Sequence, residues 1–251
     1  VDDEPASTDV ADDAPEELDL RTDGVLTVCT EASYPPFDYP DEDSPLGYSG
    51  FDIELIAEVA TSLDLGPPEF VRVGFEDIAS GAVFEAGRCD VAASAISITP
   101  TRAERLAFTE PHYVSRRALL VPSGSTIETL EDLERGMVLG VQSGTPAADR
   151  AMEEVEDAEI RTYDDGEAVY DALAAGEVDA VLVDVGVARV WADEDGDLEV
   201  VEEFRRVDQL GFAVSPRRDD ALLELLDRSL VELREDGTYD ELFERYFGVD
   251  G

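Results

Sequence analysis

Two residues of opposite charge are the first candidates for binding a small polar molecule. Arg102 follows Ser-Ile-Thr-Pro after a predicted strand, and its planar guanidinium would match both oxygens of a carboxylate. Asp184 follows the apolar run 180–183, and a carboxylate at the carboxyl end of a parallel strand faces the usual ligand crevice. Plainer alternatives stay open: Arg102 pairs with Glu104 on the surface, and Asp184 caps the following helix.

A predicted helix N-terminus is a second candidate anion site. Gly144 and Thr145 precede a helical pattern, where free N–H groups favour a carboxylate. Pro146 comes next and has no N–H, so it removes one such donor. Because proline is normal at the first helical position, simple helix initiation is the alternative.

The charge of the chain excludes some functions. It has 251 residues, of which 62 are acidic and 18 basic, and its formal net charge is −44. Nucleic-acid binding needs a cationic footprint, which this composition lacks. All 18 basic residues are arginine. Molar salt shortens the Debye length to about 3 Å and screens such self-repulsion. We therefore predict a halophilic type of protein, an ordinary acidic protein being the alternative.

The residues that bind metals or form disulfides are few. His112 is the single histidine, which argues against a His-rich zinc site or a Ser-His-Asp triad. Cys29 and Cys89 lie in or beside apolar strand-like runs and predict buried free thiols, with one bridge as the alternative. No apolar run reaches the roughly 18 residues of a membrane helix. We predict neither a metal nor a cofactor.

Strand and helix patterns alternate along most of the chain. Strand patterns occupy residues 25–29, 69–73, 90–93, 117–121, 137–141, 159–163, 178–183 and 209–214. Helical patterns occupy residues 51–63, 75–86, 130–135, 145–154, 166–175, 219–234 and 239–247. The alternation predicts an α/β fold, and its two similar halves indicate two lobes. Residues 1–23 hold ten acidic residues and predict a disordered segment.

Short motifs in a fixed order give the chain a family resemblance. They lie at 29–37, 50–55, 90–91, 96–102, 108–113, 140–145, 176–180, 236–240 and 246–248. Each is weak by itself, but together and in this order they resemble the family 3 extracellular solute-binding proteins, over about residues 24–248.

This resemblance implies a fold and a function. The fold would be the type II periplasmic-binding-protein fold, in which two crossing strands join two α/β lobes around a ligand cleft. Lobe 1 would be residues 24–114 plus 208–251, lobe 2 would be 115–207, and 1–23 would be a tether to a lipid anchor upstream of Val1. The protein would be an extracellular, cell-surface monomer. Without catalysing a reaction, it would deliver a free polar or basic α-amino acid to a membrane ABC permease.

The resemblance also assigns partners to the two charged ends of an amino acid. Arg102 would bind the carboxylate, assisted by the backbone N–H of Ser97 and by Thr145. Asp184 would bind the ammonium, together with the carbonyl of Ser94 and the hydroxyl of Ser97.

Four further positions would contact the ligand side chain. Tyr34 and Phe75 match aromatic positions that flank the ligand in this family, and aromatic faces suit an aliphatic stem or a cation. Glu31 would reach a distal cation, and Gln142 would suit an amide or a hydroxyl. Core packing is the alternative for both aromatic residues.

Two other functions stay open at this point. A few relatives of this fold are cyclohexadienyl dehydratases, and such an enzyme would need a general acid in the cleft, for which Glu31 is the candidate. The chain would otherwise be a ligand-sensing module of a larger receptor, with the acidic segment as its linker.

Overall fold

The computed structural model describes residues 18–216 and 220–248, which form two five-stranded sheets, a small two-stranded sheet and surrounding helices. The strands are β1 (Val25–Thr30), β2 (Tyr39–Pro40), β3 (Tyr48–Ser49), β4 (Gly66–Arg72), β5 (Val91–Ala92), β6 (Ala107–Phe108), β7 (Tyr113–Pro122), β8 (Val138–Gln142), β9 (Glu159–Tyr163), β10 (Ala180–Asp184), β11 (Leu198–Leu210) and β12 (Ala213–Val214). The helices are α1 (Phe51–Ser62), α2 (Phe75–Ala79), α3 (Ala82–Glu85), α4 (Pro100–Ala103), α5 (Pro146–Glu154), α6 (Gly166–Ala174), α7 (Val185–Glu194), α8 (Asp220–Glu235) and α9 (Thr238–Phe247), with a 3₁₀ turn at Leu130–Asp132.

Both five-stranded sheets are mixed, and each has three parallel strands that run from its centre to one edge. The first has the order β4-β1-β5-β12-β6, and β1 runs parallel to β4 and β5. The second has the order β11-β7-β10-β8-β9, and β8 runs parallel to β9 and β10. The predicted α/β alternation is confirmed, and the parallel pairs aim their carboxyl ends at one edge of each sheet.

The paired strands β7 and β11 lead from one sheet to the other. Their antiparallel ladder runs from Tyr113 opposite Leu210 to Pro122 opposite Leu198. At the Leu210 end, His112 N–H donates to the Leu210 carbonyl at 2.9 Å and Ile98 N–H donates to the Gln209 carbonyl at 2.7 Å. The predicted lobe boundaries near residues 115 and 207 fall on this ladder, and the division itself remains a prediction.

Apolar periodicity explains where helix α1 lies. Its buried residues Phe51, Leu55 and Val59 recur every four positions and therefore share one face of the helix. Side chains of this size contribute about 1.5–3 kcal/mol each when fully buried. The face packs against β4, α8 and α9, which fixes the start of α1 beside the loop that follows β1.

Three predicted elements differ from the structure. The predicted helix 130–135 is only the 3₁₀ turn Leu130–Asp132, because the backbone is already extended at Leu133. The predicted helix 75–86 is divided into α2 and α3, because Gly81 adopts a left-handed φ of 83° between them. The predicted strand 209–214 is the end of β11 followed by β12. The first eleven residues of β11 escaped prediction because six of them are charged and only two are buried, which leaves little apolar alternation.

The expectation of free thiols is wrong, since Cys29 and Cys89 form a disulfide with their Cα atoms 5.6 Å apart. Cys29 lies on β1, and the parallel pairing of β1 with β5 brings the turn before β5 beside it. The 60-residue separation conceals this proximity in the sequence. Buried Cys29 on β1 and buried Cys89 just before β5 therefore form the bridge that the sequence offered only as the alternative.

The predicted disordered segment 1–23 is too long at its carboxyl end. Leu20 is buried in the core, and Arg21 N–H donates to the Asp90 carboxylate at 3.0 Å. The rest of the predicted segment, residues 1–17, lies outside the described residues. Within the described part of the chain, no helix is both long and apolar enough to span a membrane.

Candidate ligand-binding site

Four strand ends meet at a small cavity of about 20 Å³ between the two sheets. Glu31 directly follows β1, Ser94 follows β5, Gln142 ends β8 and Asp184 ends β10. The cavity is lined by Glu31, Tyr34, Phe75, Ser94, Ala95, Ser97, Arg117, Gln142, Thr145, Pro146 and Asp184. Eight of the nine predicted ligand-binding residues are among them, Arg102 being the ninth.

The buried carboxylate of Asp184 collects hydrogen bonds from three side chains. One oxygen, Oδ2, accepts from the Tyr34 hydroxyl at 2.8 Å, while Oδ1 accepts from the Ser115 hydroxyl and the Arg117 guanidinium. Although Asp184 occupies the N-cap position of α7, its side chain makes no capping bond. Burial, followed by the charge of Asp184, raises the pKa of Tyr34 well above its ordinary value, so the phenol keeps its proton.

Sequence reasoning missed Arg117. It lies directly opposite Asp184 in the antiparallel pairing of β7 with β10, and its guanidinium also contacts Asp208 Oδ2 at 3.1 Å and Ser97 Oγ at 3.3 Å. Burial acts to lower the pKa of Arg117, but the Asp184 carboxylate and its other neighbours raise it above the ordinary value overall. The available signal was a cation at the start of an apolar strand, where a buried counter-charge is required.

Arg102 lies just outside the cavity wall and bridges the two sides of the cleft. Its guanidinium donates to the Ser97 carbonyl at 2.7 Å and to the Gly144 carbonyl at 2.9 Å. It also lies over the Phe75 ring, 5.2 Å from the centroid. Burial, together with the charge of Arg117, lowers its pKa to about 10, so it stays protonated at neutral pH. Its partners are therefore the backbone carbonyls of Ser97 and Gly144, not the surface carboxylate of Glu104.

The opposite wall of the cavity is closed by a pair of polar side chains. Gln142 Nε2 donates to Glu31 Oε1 at 2.7 Å, which links the end of β8 to the residue after β1. Burial, and then the nearby charge of Asp38, raise the pKa of Glu31 to about 8. Glu31 therefore carries a proton at neutral pH and adds an O–H donor to this wall.

Two turns at the cavity have left-handed backbones although neither contains glycine at that position. Ala32 has φ 57° and Ala95 has φ 47°. The Ala32 N–H donates to Asp38 at 2.9 Å, and the Ala95 N–H donates to Asp52 at 2.7 Å. Such conformations cost about 1–3 kcal/mol each and persist where surrounding contacts enforce them. Both buried carboxylates thus hold cavity-forming loops in place.

The N-terminus of α5 forms another part of the wall. Thr145 is its N-cap, with Oγ1 accepting from Ala148 N–H at 3.2 Å and donating to the Gln142 carbonyl at 2.8 Å. Pro146 occupies the first helical position, as predicted, and contributes no N–H. Because capping already engages the Thr145 hydroxyl, its backbone N–H is the group left to meet a ligand carboxylate.

The two sides of the cleft also meet at Gly166. Its N–H donates to Ser33 Oγ at 3.1 Å. A Cβ added at Gly166 would lie 2.7 Å from the Ser33 carbonyl oxygen and 2.9 Å from Tyr34 Cδ2. Only a residue without a side chain permits this approach.

Comparison with known proteins agrees with this geometry. Residues 26–249 match the family model of the bacterial extracellular solute-binding proteins, family 3. The chain belongs to this family. The predicted type II fold is confirmed by solved structures. An ancestral arginine-binding protein, in structures bound to arginine and to glutamine, superposes with TM-scores of 0.82 and 0.83 at 32% and 31% identity, over 90% of this chain and 99% of those chains.

Two further members of the family are informative. The L-cystine-binding protein TcyJ of Escherichia coli is 32% identical over 239 residues, which cover 92% of this chain and 85% of that protein. The ancestral amino acid-binding protein AncCDT-1, described as a precursor of cyclohexadienyl dehydratase, has a TM-score of 0.81 at 31% identity, over 89% of this chain and 96% of that chain.

The pKa of Glu31 predicts how stability of this solute-binding protein depends on pH. Between its ordinary value of 4.5 and its folded value of about 8, Glu31 binds a proton in the folded protein that the unfolded chain releases. Its contribution to stability is therefore complete below the lower value and is lost as the pH rises through the upper one. Glu31→Gln keeps the acceptor for Gln142 but does not titrate. As the pH rises across this interval, the wild type should lose stability and the variant should not, so the difference between the unfolding midpoint of the variant and that of the wild type should increase. If the midpoints of wild type and Glu31→Gln change with pH in parallel, or if the exposed control Glu69→Gln shows the same trend as Glu31→Gln, Glu31 is not a buried, protonated carboxyl.

The close approach at Gly166 predicts a second effect. In Gly166→Ala, the new methyl group opposes closure of the cleft at a cost of about 1–3 kcal/mol, which corresponds to roughly 5- to 150-fold weaker ligand binding by calorimetry. The unfolding midpoint without ligand should change little, because opening relieves the contact. Gly196→Ala is the matched control, since a Cβ there meets open space. Equal affinities in the two variants would show that binding needs no such closure.

Proposed function

We propose that this solute-binding protein captures a polar or basic α-amino acid in the cleft and delivers it to an ABC importer. The observation that carries this proposal is the buried Asp184 carboxylate, which faces a cavity bordered by two arginines. An α-amino acid brings a carboxylate and an ammonium, and a selective site needs a fixed partner for each. Relatives with names that specify cystine, arginine and histidine support an amino acid as the ligand.

The proposed motion is closure of two lobes, residues 24–114 plus 208–251 and residues 115–207, around β7 and β11. Each of the bonds from Gln142 to Glu31, from Arg102 to Gly144 and from Gly166 to Ser33 links these lobes. Hinge closure around a ligand is an established mode of motion for two-lobed proteins. In the proposal, binding free energy drives closure, and the closed form docks on the permease.

We assign the charged ends of the ligand to opposite sides of the cavity. Arg102 binds the carboxylate by exchanging its neutral carbonyl acceptors for a charged one, which strengthens both hydrogen bonds. The N–H groups of Ser97 and Thr145 assist it. Asp184 binds the ammonium, with the Ser97 hydroxyl and the Ser94 carbonyl as further acceptors.

The remaining wall contacts the ligand side chain. Tyr34 and Phe75 flank its stem, while Glu31 and Gln142 face its distal polar group. A protonated Glu31 donates to a distal carbonyl of an amide. A distal cation instead stabilises the Glu31 carboxylate, so its binding at neutral pH releases the proton that Glu31 holds. Proton release therefore separates basic from neutral polar ligands.

The same Glu31 is the observation that favours a second candidate function. A buried carboxyl with a pKa of about 8 is suited to act as a general acid, as a cyclohexadienyl dehydratase would require. We propose binding without catalysis, because Arg102 and Asp184 suit a zwitterion better than a dianion such as prephenate. Formation of an aromatic product from arogenate or prephenate would establish the enzyme instead.

The surroundings of the protein complete the proposal. We propose that it works outside the membrane as a monomer, tethered to a lipid anchor through the residues that precede Leu18. The Cys29–Cys89 disulfide supports an oxidising compartment. We further propose a halophilic setting, because the net charge of −44 requires salt for screening.

The direct test of function is a thermal-shift screen of the twenty amino acids, ornithine and citrulline in molar salt. A ligand at one hundred times its Kd stabilises a protein by about 2.7 kcal/mol, so one chemical class should raise the unfolding midpoint. A flat screen on well-folded protein would contradict amino-acid binding.

The role of Arg102 is tested with the strongest ligand from that screen. Arg102→Ala leaves the ligand carboxylate unpaired, at a cost of about 3–5 kcal/mol, or roughly two to three and a half orders of magnitude in affinity. Arg105→Ala, which removes an exposed arginine next to α4, should bind as wild type does. Near-unchanged affinity in Arg102→Ala would remove Arg102 from the site.

A further inference from the structure

The guanidinium of Arg117 lies where the ligand ammonium is expected. It donates to Asp184 Oδ1 and to Ser97 Oγ, the latter at 3.3 Å. These are two of the acceptors assigned to the ammonium above. Arg117 also lines the cavity and is buried. One cationic side chain of the protein therefore already occupies the acceptors that an α-amino acid needs.

We propose that Arg117 is a specificity-determining residue that competes with the α-ammonium of the ligand for Asp184 and Ser97. The inference rests on the proposed amino-acid function and goes beyond it. An amino acid binds only by displacing the guanidinium from these two acceptors, which weakens its binding. A carboxylic acid without the α-ammonium leaves Arg117 in place and is not weakened in this way.

The structure provides a second partner for a displaced Arg117. Its guanidinium already contacts Asp208 Oδ2 at 3.1 Å, and Asp208 lies on the neighbouring strand β11. Among the described residues, its buried Nε has no hydrogen-bond partner. Arg117 can therefore lose its bond to Asp184 and keep its ion pair with Asp208. Its Nε–H group, which has no partner among the described residues, can then form a replacement hydrogen bond.

Electrostatics explain why the two cations exclude each other. An ammonium and a guanidinium that share one carboxylate repel each other at short range, and the repulsion is strong where water is excluded. The same crowding already acts on Arg102, since the charge of Arg117 contributes to its lowered pKa. Removing Arg117 relieves this repulsion and leaves Asp184 in need of a new cationic partner.

The test compares wild type with Arg117→Gln for two pairs of probes. The pairs are L-glutamine with glutaramic acid and L-arginine with 5-guanidinopentanoic acid, each acid lacking only the α-ammonium. Calorimetry should show the amino acids binding about tenfold or more tighter to Arg117→Gln, while the des-amino acids bind equally or more weakly. The preference for the amino acid over its des-amino partner should thus increase at least tenfold.

Arg116→Gln is the matched control. It removes the neighbouring cation on β7, which is exposed and pairs with Glu203 at 3.2 Å. This variant should keep the wild-type preference, which separates a competing guanidinium in the cleft from a general change in charge. An unchanged or reduced preference in Arg117→Gln, or an equal increase in Arg116→Gln, would overturn the proposal.

A second variant keeps the proposal testable if Arg117→Gln folds poorly. Asp208→Asn removes the charge that stabilises Arg117 once the ligand has displaced it from Asp184. Amino acids should therefore bind several-fold more weakly to this variant, while the affinity for des-amino acids should not change. In Arg117→Gln the same substitution should have no effect, because effects on one shared interaction are non-additive. An equal loss for both kinds of ligand in Asp208→Asn would count against the competition.

The outcomes separate this inference from the proposed function. If none of the twenty amino acids binds wild type or Arg117→Gln, the proposed function fails and the inference fails with it. If wild type binds an amino acid and Arg117→Gln binds it no better, the function stands and the inference alone is overturned.

Discussion

The buried carboxylate of Asp184 is the constraint around which the cleft is organised. A charge removed from water must be met by donors, and Asp184 draws them from several parts of the chain. Ser115 and Arg117 reach it from β7, and Tyr34 reaches it from the loop after β1 on the other side of the cavity. Two of these donors belong to the same sheet as Asp184 and one, Tyr34, comes from the other side of the cavity, so this side chain links the two sheets.

Other polar groups extend the coupling around the cavity. Glu31 is neutral because it is buried and lies near the charge of Asp38, and its bond to Gln142 crosses between the sheets. Asp38 and Asp52 in turn hold the strained backbones of Ala32 and Ala95. The carboxyl groups of the site thus have different roles: Asp184 pairs with a cation, Glu31 acts as a donor, and Asp38 and Asp52 hold the loops.

Much of this arrangement was predictable, since apolar periodicity locates most strands and helices, and the family resemblance locates eight cavity residues. Three features were not, each because long-range pairing decides it. The disulfide depends on β1 lying beside β5, which no local pattern reports. Arg117 resembles its neighbour Arg116 in the sequence, and only the pairing of β7 with β10 sends one inward to Asp184 and leaves the other exposed. Strand β11 is long and charged, and its ladder with β7 stabilises it in place of apolar burial.

The most direct test of the account is the amino-acid affinity of Asp184→Asn. Asparagine keeps the size of the side chain and an acceptor for Tyr34, so the variant should fold, but it cannot pair with an ammonium. Calorimetry should show a loss of about 3–5 kcal/mol, more than roughly a hundredfold in Kd. Asp179→Asn, just before β10, should bind as wild type. Binding by Asp184→Asn within threefold of wild type would contradict the assignment of Asp184 as the centre of the site.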